Sequence, residues 1–312
     1  MFRIRIQNKK KCIWYCSAVV SFLLFLLLLG WTNHLANTQD AQQMAGRWSE
    51  KKDVAQISCF FSSKAEVTED TIQSFEYSLK NVLQEASITE TSENPSARLW
   101  VDAYSADGKI TLVNGRNTLD ANAIGIGGDF FLFHPLKLIT GSYFSGNDLM
   151  QDYCIIDQDA AWQLFGSNDV VGMTVYIGNV PHIVTGVVRR PQGRMEKAAG
   201  LTSTVVYVSY ETLETYGTSN GINHYEIVMP NPVDEFAYGK VKEGIGIDEK
   251  NVEIVENSRR YSLPNRIKTI LSFGTRSMNG KAIIYPYWEN LARGYEDIIA
   301  FLTVFMLLLL LY

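Results

Sequence analysis

The chain has 312 residues, 33 acidic and 28 basic, for a formal charge of −5, and 46% of its residues are hydrophobic. A mixed acidic surface argues against a nucleic-acid partner, and four cysteines are too few for a disulfide scaffold. The length suits one large domain or two small lobes, each able to bury a core.

The run from Cys12 to Trp31 carries no charge and is twenty residues long, the length of a transmembrane helix. Trp14, Tyr15 and Trp31 stand near its ends, where aromatic rings favour the headgroup level. Arg3, Arg5, Lys9, Lys10 and Lys11 precede it, and the next basic residue is Arg47. That asymmetry predicts a cytoplasmic segment at 1–11, a span at 12–31 and an extracytoplasmic segment from 32 to 297. A cleaved signal peptide would have a shorter apolar run and a small-residue cleavage site, and "GWTNHLANTQDA" offers none. The 32–297 segment holds all 33 acids and 23 of the 28 basic residues, a formal charge of −10.

After a polar stretch at 32–52, "DVAQISCFFSS" (53–63) predicts a strand. Residues 68–86 predict a helix with Thr68 as N-cap, because Ile72, Phe75, Leu79, Val82, Leu83 and Ala86 recur at helical steps. "ARLWVDAYSADGKITLVNG" (97–115) predicts a hairpin around "ADGK". "YCIID" reads as a strand, "QDAAWQLFG" as a short helix closed by Gly166, and "MTVYIGNVPHIVTGVVRR" as a hairpin turning at Gly178–Asn179. "INHYEIVMP" and "NVEIVEN" predict strands around a helix in "NPVDEFAYGKVKEG", with Asn231 as N-cap and Pro232 in its first turn. "IYPYWENLARGYEDIIAFLTVF" predicts one helix running into a second apolar segment at 298–312. That segment reaches only about 22 Å, short of the roughly 30 Å bilayer core.

Cys12 and Cys16 fall in the first apolar run. Cys59 and Cys154 fall in strand-like runs and read as buried free thiols, with a bridge between them as the alternative. "GTSNG" (217–221) matches a nucleophile elbow around Ser219, but a helix precedes it and a strand follows, the reverse of the required order. "GIGG" (125–128) opens no helix and reads as a turn or a close backbone approach. His34, His134, His182 and His224 are isolated and show no ligand spacing. Asp157 and Asp159 sit at a helix start, where capping explains them. "RRPQGR" (189–194) is a small basic loop, and no Walker-type phosphate loop occurs. No catalytic, cofactor-binding or metal-binding residue is expected on these grounds.

One region resembles a known family. "GGDFF" (127–131), "LITGSYFSGND" (138–148), "CIIDQDAAWQLFG" (154–166), "VVGMTVYIG" and "HIVTGVVR" follow one another as in the periplasmic core region of MacB/FtsX-type ABC transporter permeases. The resemblance implies an α+β extracytoplasmic domain of two lobes flanked by transmembrane helices. One lobe is a split strand–helix–strand lobe and the other an inserted β-rich lobe, here about 117–217. It implies a non-enzymatic permease subunit in the plasma membrane, working with a separate or fused ABC ATPase, as a dimer, on an unknown extracytoplasmic substrate or partner. Such permeases have four membrane helices, so the sequence is expected to be the N-terminal part of a longer protein. A membrane-anchored sensor or adhesion domain without an ATPase is the alternative. Phe130, Phe131 and Phe133 are expected in the core or at the interface between lobes, and Trp162, Leu164 and Phe165 are expected to pack the short helix.

Overall fold

The computed structural model describes residues 2–49, 53–89, 98–273 and 283–311. The chain forms two compact units, residues 1–39, 259–276 and 292–312 in one and residues 40–258 and 277–291 in the other.

The larger unit begins with α2 (Met44–Trp48), which follows a long N-terminal helix α1 (Phe2–Asn37). Then come β1 (Val54–Phe61), α3 (Glu69–Glu85), β2 (Val101–Asn114), β3 (Asn117–Gly128), α4 (Phe130–Phe133), β4 (Lys137–Gly141), β5 (Tyr153–Asp157) and α5 (Gln158–Phe165). Next are β6 (Thr174–Ile177), β7 (Val180–Arg189), α6 (Arg194–Ala198), β8 (Val205–Ser209), α7 (Tyr210–Tyr216) and β9 (Thr218–Ser219). The larger unit's series closes with β10 (His224–Pro230), α8 (Phe236–Gly244) and β11 (Val252–Glu256); α9 (Leu263–Leu271) belongs to the smaller unit, and α10 (Tyr287–Leu311) starts in the larger unit and continues in the smaller.

The first half of the sheet runs β11-β1-β10-β2, with every adjacent pair antiparallel. The units β1–α3–β2 and β10–α8–β11 therefore interleave, each leaving a gap that the other's strand fills, which is the split βαβ arrangement. β1 alternates strictly. Ala55, Ile57, Cys59 and Phe61 join the cluster built with Ile72, Phe75, Leu79 and Leu83 of α3 and Ala237 and Val241 of α8. The Ile, Leu, Val and Phe side chains among them each contribute roughly 1.5–3 kcal/mol when fully buried. Gln56, Ser58 and Phe60 point to the opposite face, which is also buried.

The second half continues β3-β8-β5-β7-β4, and β6 pairs with both β7 and the far end of β2. Strands β2, β3, β8, β5, β7 and β6 thus close on themselves. Ala160 and Leu164 of α5 and Leu213 of α7 pack into the same apolar cluster as Val184, Val206 and Val208. The α+β class expected from the sequence is the class found.

Several elements lie where the sequence predicts them. Thr68 precedes α3 as N-cap, Asp157 caps α5 by accepting from Ala160 N at 2.8 Å, and the β6–β7 turn has positive φ at Gly178 and Asn179. Others differ. "ADGK" is no turn: it lies inside β2, whose hairpin partner β3 is reached through Gly115–Arg116. Gly108 is there because β9 presses on it, and a Cβ would meet Thr218 O at 2.3 Å. "GIGG" forms the end of β3 as a close approach, with the Tyr104 ring against Gly127. α8 starts at Phe236, later than expected, yet Asn231 Oδ1 still accepts from Ala237 N at 3.0 Å. Trp162 is 55% exposed rather than packed, whereas Leu164 is buried and Phe165 lies against the core. α9 was not legible as a helix, although Ser262 and Pro264 give it an N-cap and a first-turn proline. All four cysteines are free, with Cys59 and Cys154 buried. Ala97, the first residue of the predicted hairpin segment, lies outside the described residues.

In the smaller unit, the α1 stretch Lys11–Asn37 and helix α10 are both long and apolar enough to cross a membrane. α1 buries Leu28, Thr32 and Ala36 at four-residue steps, and α10 buries Ile299, Ala300, Thr303 and Met306. Small and hydroxyl-bearing residues on such stripes suit close helix packing. The Thr303 hydroxyl donates to Ile299 O at 2.8 Å, so it is satisfied within its own helix. Arg260 donates from Nε to Glu296 Oε1 of α10 at 2.5 Å, two residues before the apolar run that starts at Ile298.

Candidate functional site

The polar face of the first half-sheet gathers three titratable side chains that are far apart in sequence. Register places His224 of β10 opposite Ser105 of β2 and Phe60 of β1, and Glu226 opposite Ser58 of β1. His224 and Glu226, two residues apart on one strand, share a face, while Tyr225, Ile227 and Met229 turn to the α3–α8 side. His134 follows α4, its backbone N–H donating to Phe130 O at 2.9 Å. The Phe-rich turn of α4 seats in a second apolar cluster with Val101, Ala103, Val228 and Trp288, and so carries His134 onto the sheet.

His134 Nε2 lies 2.7 Å from Glu226 Oε2, and His224 Nε2 lies 3.5 Å from Glu226 Oε1. All three side chains are at most 5% exposed. Glu226 Oε1 accepts from the Ser58 hydroxyl at 2.5 Å, and Asn257 Nδ2 donates to Ser58 Oγ at 2.7 Å. Gln56, fully buried on the same face, donates to Ala41 O at 2.6 Å and accepts from Met44 N at 2.9 Å. The walls are aromatic: Phe60 stacks on His224 at 5.0 Å, and the Trp288 ring stands 4.3 Å from His134 and 5.3 Å from His224. Trp288 belongs to the first turn of α10.

Electrostatics follow from this setting. Burial alone would raise the Glu226 pKa, but the two histidines outweigh it and hold the carboxyl well below its usual range. Burial wins at His134 and lowers its pKa against the pull of Glu226. On the other face, burial and then the charge of Glu226 push the Cys59 thiol far up, which leaves it inert.

The residues singled out from sequence are distributed otherwise. His182 is satisfied, with Val180 O at 3.0 Å and Thr212 Oγ1 at 3.1 Å. His34 lies in α1. Ser219 pairs with Gly108 in the short strand β9, with no nucleophile geometry. Arg190 of the basic loop is tied to Asp157 at 3.3 Å and also to Asp159. The cleft lined by Phe61, Asp107, Asn223 and Ile284 holds only ≈110 Å³, too little for a typical ligand pocket. Linear spacing does not reveal the meeting of His134, His224 and Glu226, because it depends on α4 docking across β10. The one local signal is "HYE" at 224–226, whose alternation marks a polar face and reads as solvent-facing until something covers it.

The family model of the MacB-like periplasmic core domain matches residues 22–254. The macrolide export ATP-binding/permease protein MacB of Pasteurella multocida is 32% identical over 81 residues, covering 25% of this chain and 12% of that protein. The MacB protein of Chromobacterium violaceum is 31% identical over 96 residues, covering 30% and 14%. The matched stretches thus span well under a fifth of those relatives' length. Among solved structures, the periplasmic region of MacB from Actinobacillus actinomycetemcomitans aligns at TM-score 0.43 and 20% identity, over 71% of this chain and 94% of that one. The extracellular domain of the YknZ ABC-type transporter from Gram-positive bacteria aligns at TM-score 0.42 and 19% identity, over 64% and 99%. With a family model matched over most of its length, the chain belongs to the MacB-like periplasmic core domain family.

Proposed function

We propose that this chain is the part of an ABC transporter permease subunit that bears the extracytoplasmic domain. Its work is to relay ATPase-driven motion across the membrane, for export of a substrate or activation of a partner. The observation that carries the reading is the family match over residues 22–254, with a span-length apolar helix at each end of the domain. The ATP-binding/permease proteins among the relatives support an ABC ATPase as partner. The proposed topology places residues 1–11 in the cytoplasm, a span at 12–31, the segment 32–297 outside with an inserted lobe at about 117–217, and a second span from 298. A permease dimer is part of the same reading.

The physical logic is a stiff helix. In lipid a helix satisfies its own backbone, so it moves as a rod. α10 is one helix from Tyr287 to Leu311, about 37 Å at 1.5 Å per residue, and it passes through Gly294 without a break. Its first turn is fixed by Trp288 in the buried cluster. ATP chemistry is assigned in this reading to a separate or fused ABC ATPase.

The test uses the full-length permease with its ATPase in lipid. Gly-Gly inserted after Glu296 softens α10, whereas Ala-Ala at the same place shifts the register and keeps it stiff. ATP hydrolysis should persist in both, and transport or partner activation should fall further with Gly-Gly. Equal function of the Gly-Gly and Ala-Ala proteins would refute the relay, and failure of any ATPase to associate would favour a sensor or adhesion role.

A further inference from the structure

We propose that His134, His224 and Glu226 form a binding site for one divalent transition-metal ion of the zinc class, buried beneath the first turn of α10. Nothing in the permease reading requires it; the argument rests on geometry. One ligand atom from each residue lies within 4.8 Å of the other two. That is a set of two imidazole nitrogens and a carboxylate, which zinc takes readily.

The donor atoms are poorly served without an ion. Among the described residues, His134 Nε2, His224 Nε2 and Glu226 Oε2 are buried and make no hydrogen bond of acceptable geometry. His134 Nε2 is only 2.7 Å from Glu226 Oε2, so the failure is one of direction. His134 Nε2 and Glu226 Oε2 thus crowd together without a hydrogen bond, as ligands of a shared centre do. A buried polar atom left unpaired costs about 1–3 kcal/mol, and three in one place call for a compensating partner.

The surroundings fit as well. Ser105 Oγ lies 3.3 Å from His224 Nδ1, and such an outer contact fixes the ring so that Nε2 faces inward. Each carboxylate oxygen of Glu226 faces one histidine, so the carboxylate can chelate and complete a four-donor set with the two nitrogens. Two of the ligands ride on the central strand β10 and the third on the cap of α4, so the site needs no loop closure. Phe60 and Trp288 wall the ligands with aromatic surface. The competing account is a metal-free charge network in which a histidine carries the proton opposite Glu226.

The experiment uses the full chain in detergent, stripped with a chelator and then titrated with zinc chloride, and with cobalt chloride for its ligand-field spectrum. One ion per chain should bind, and cobalt should give visible bands typical of low coordination. His224→Asn should weaken zinc binding at least about 100-fold, while Ser105→Ala, which removes only the outer contact, should weaken it about 10-fold. His182→Asn should change nothing. Should the ligand variant misfold, the wild-type stoichiometry and Ser105→Ala still decide. A wild-type chain that binds no stoichiometric zinc, or binding that survives both His224→Asn and Ser105→Ala unchanged, would overturn the site in favour of the charge network.

Discussion

Phe131 tests where the second core lies. Its side chain is 7% exposed. It stacks on Tyr143 at 4.6 Å and meets Phe130, Phe144 and Tyr207 edge to face at 5.5, 5.7 and 5.8 Å. Truncation to alanine removes the transfer term and leaves a hole bounded by four rings that cannot all collapse into it. Such changes cost about 3–5 kcal/mol, and the lost ring pairs place this one toward the upper end. The assay is urea unfolding of a soluble fragment covering residues 40–291, followed by tryptophan fluorescence and circular dichroism together. With a slope of about 3 kcal/mol per molar for a domain of this size, the midpoint should fall by more than 1 M. Tyr77→Ala is the control, since that ring is 72% exposed and a surface change should stay within about 0.5 kcal/mol. A Phe131→Ala midpoint indistinguishable from the control would refute the packing of α4 and, with it, the means by which His134 reaches β10.

Two further outcomes are expected. Burial, and then the neighbouring Asp102 carboxylate, push Glu76 up to about 8 from 4.5. A carboxyl raised in the fold stabilises it fully below 4.5, and that contribution is lost as pH rises through about 8. Because Glu76 is only half-buried, screening limits the loss to ~1–2 kcal/mol, so the urea midpoint should decline from about pH 5 to 9 and flatten in Glu76→Gln; a rising midpoint would contradict this. For topology, Ser63→Cys in a Cys12→Ala, Cys16→Ala background should react with an impermeant maleimide in intact cells, because Ser63 is exposed while Cys59 and Cys154 are buried. Reaction only after lysis would place the domain on the other side of the membrane.

Most elements were legible because local chemistry and tertiary structure agree. The α3 stripe, the Asp157 cap and the Gly178–Asn179 turn each have a local cause, and each lies where its cause puts it. The misreading of "ADGK" has its origin in a neighbour invisible in the local sequence. "ADGK" has the composition of a turn, but Gly108 answers to β9, at Thr218–Ser219 far along the chain. Gln56, Ser58, His224 and Glu226 alternate with apolar residues as a solvated face would, and α2, α4 and Trp288 cover them. Periodicity reports that a strand has two unlike faces. It cannot report that both are buried.

That double burial divides the labour of the half-sheet. The face toward α3 and α8 is apolar and tolerant of volume-conserving change, and it supplies stability by area. The opposite face is built from directional groups. Glu226, at 1% exposure, accepts from the Ser58 hydroxyl and stands beside two histidines, and removing a partner from such a buried polar set typically costs about 3–5 kcal/mol. Apolar residues of similar size could fill the same space with less risk, so the polar set adds geometry that an apolar core would lack. What it locates is Trp288, whose ring stands against both histidines. Successive residues of a helix point about 100° apart, so one residue of slippage in α10 would carry the indole off both histidines. In the proposed relay, the ring contacts of Trp288 with both histidines would be the seat of α10 on the larger unit.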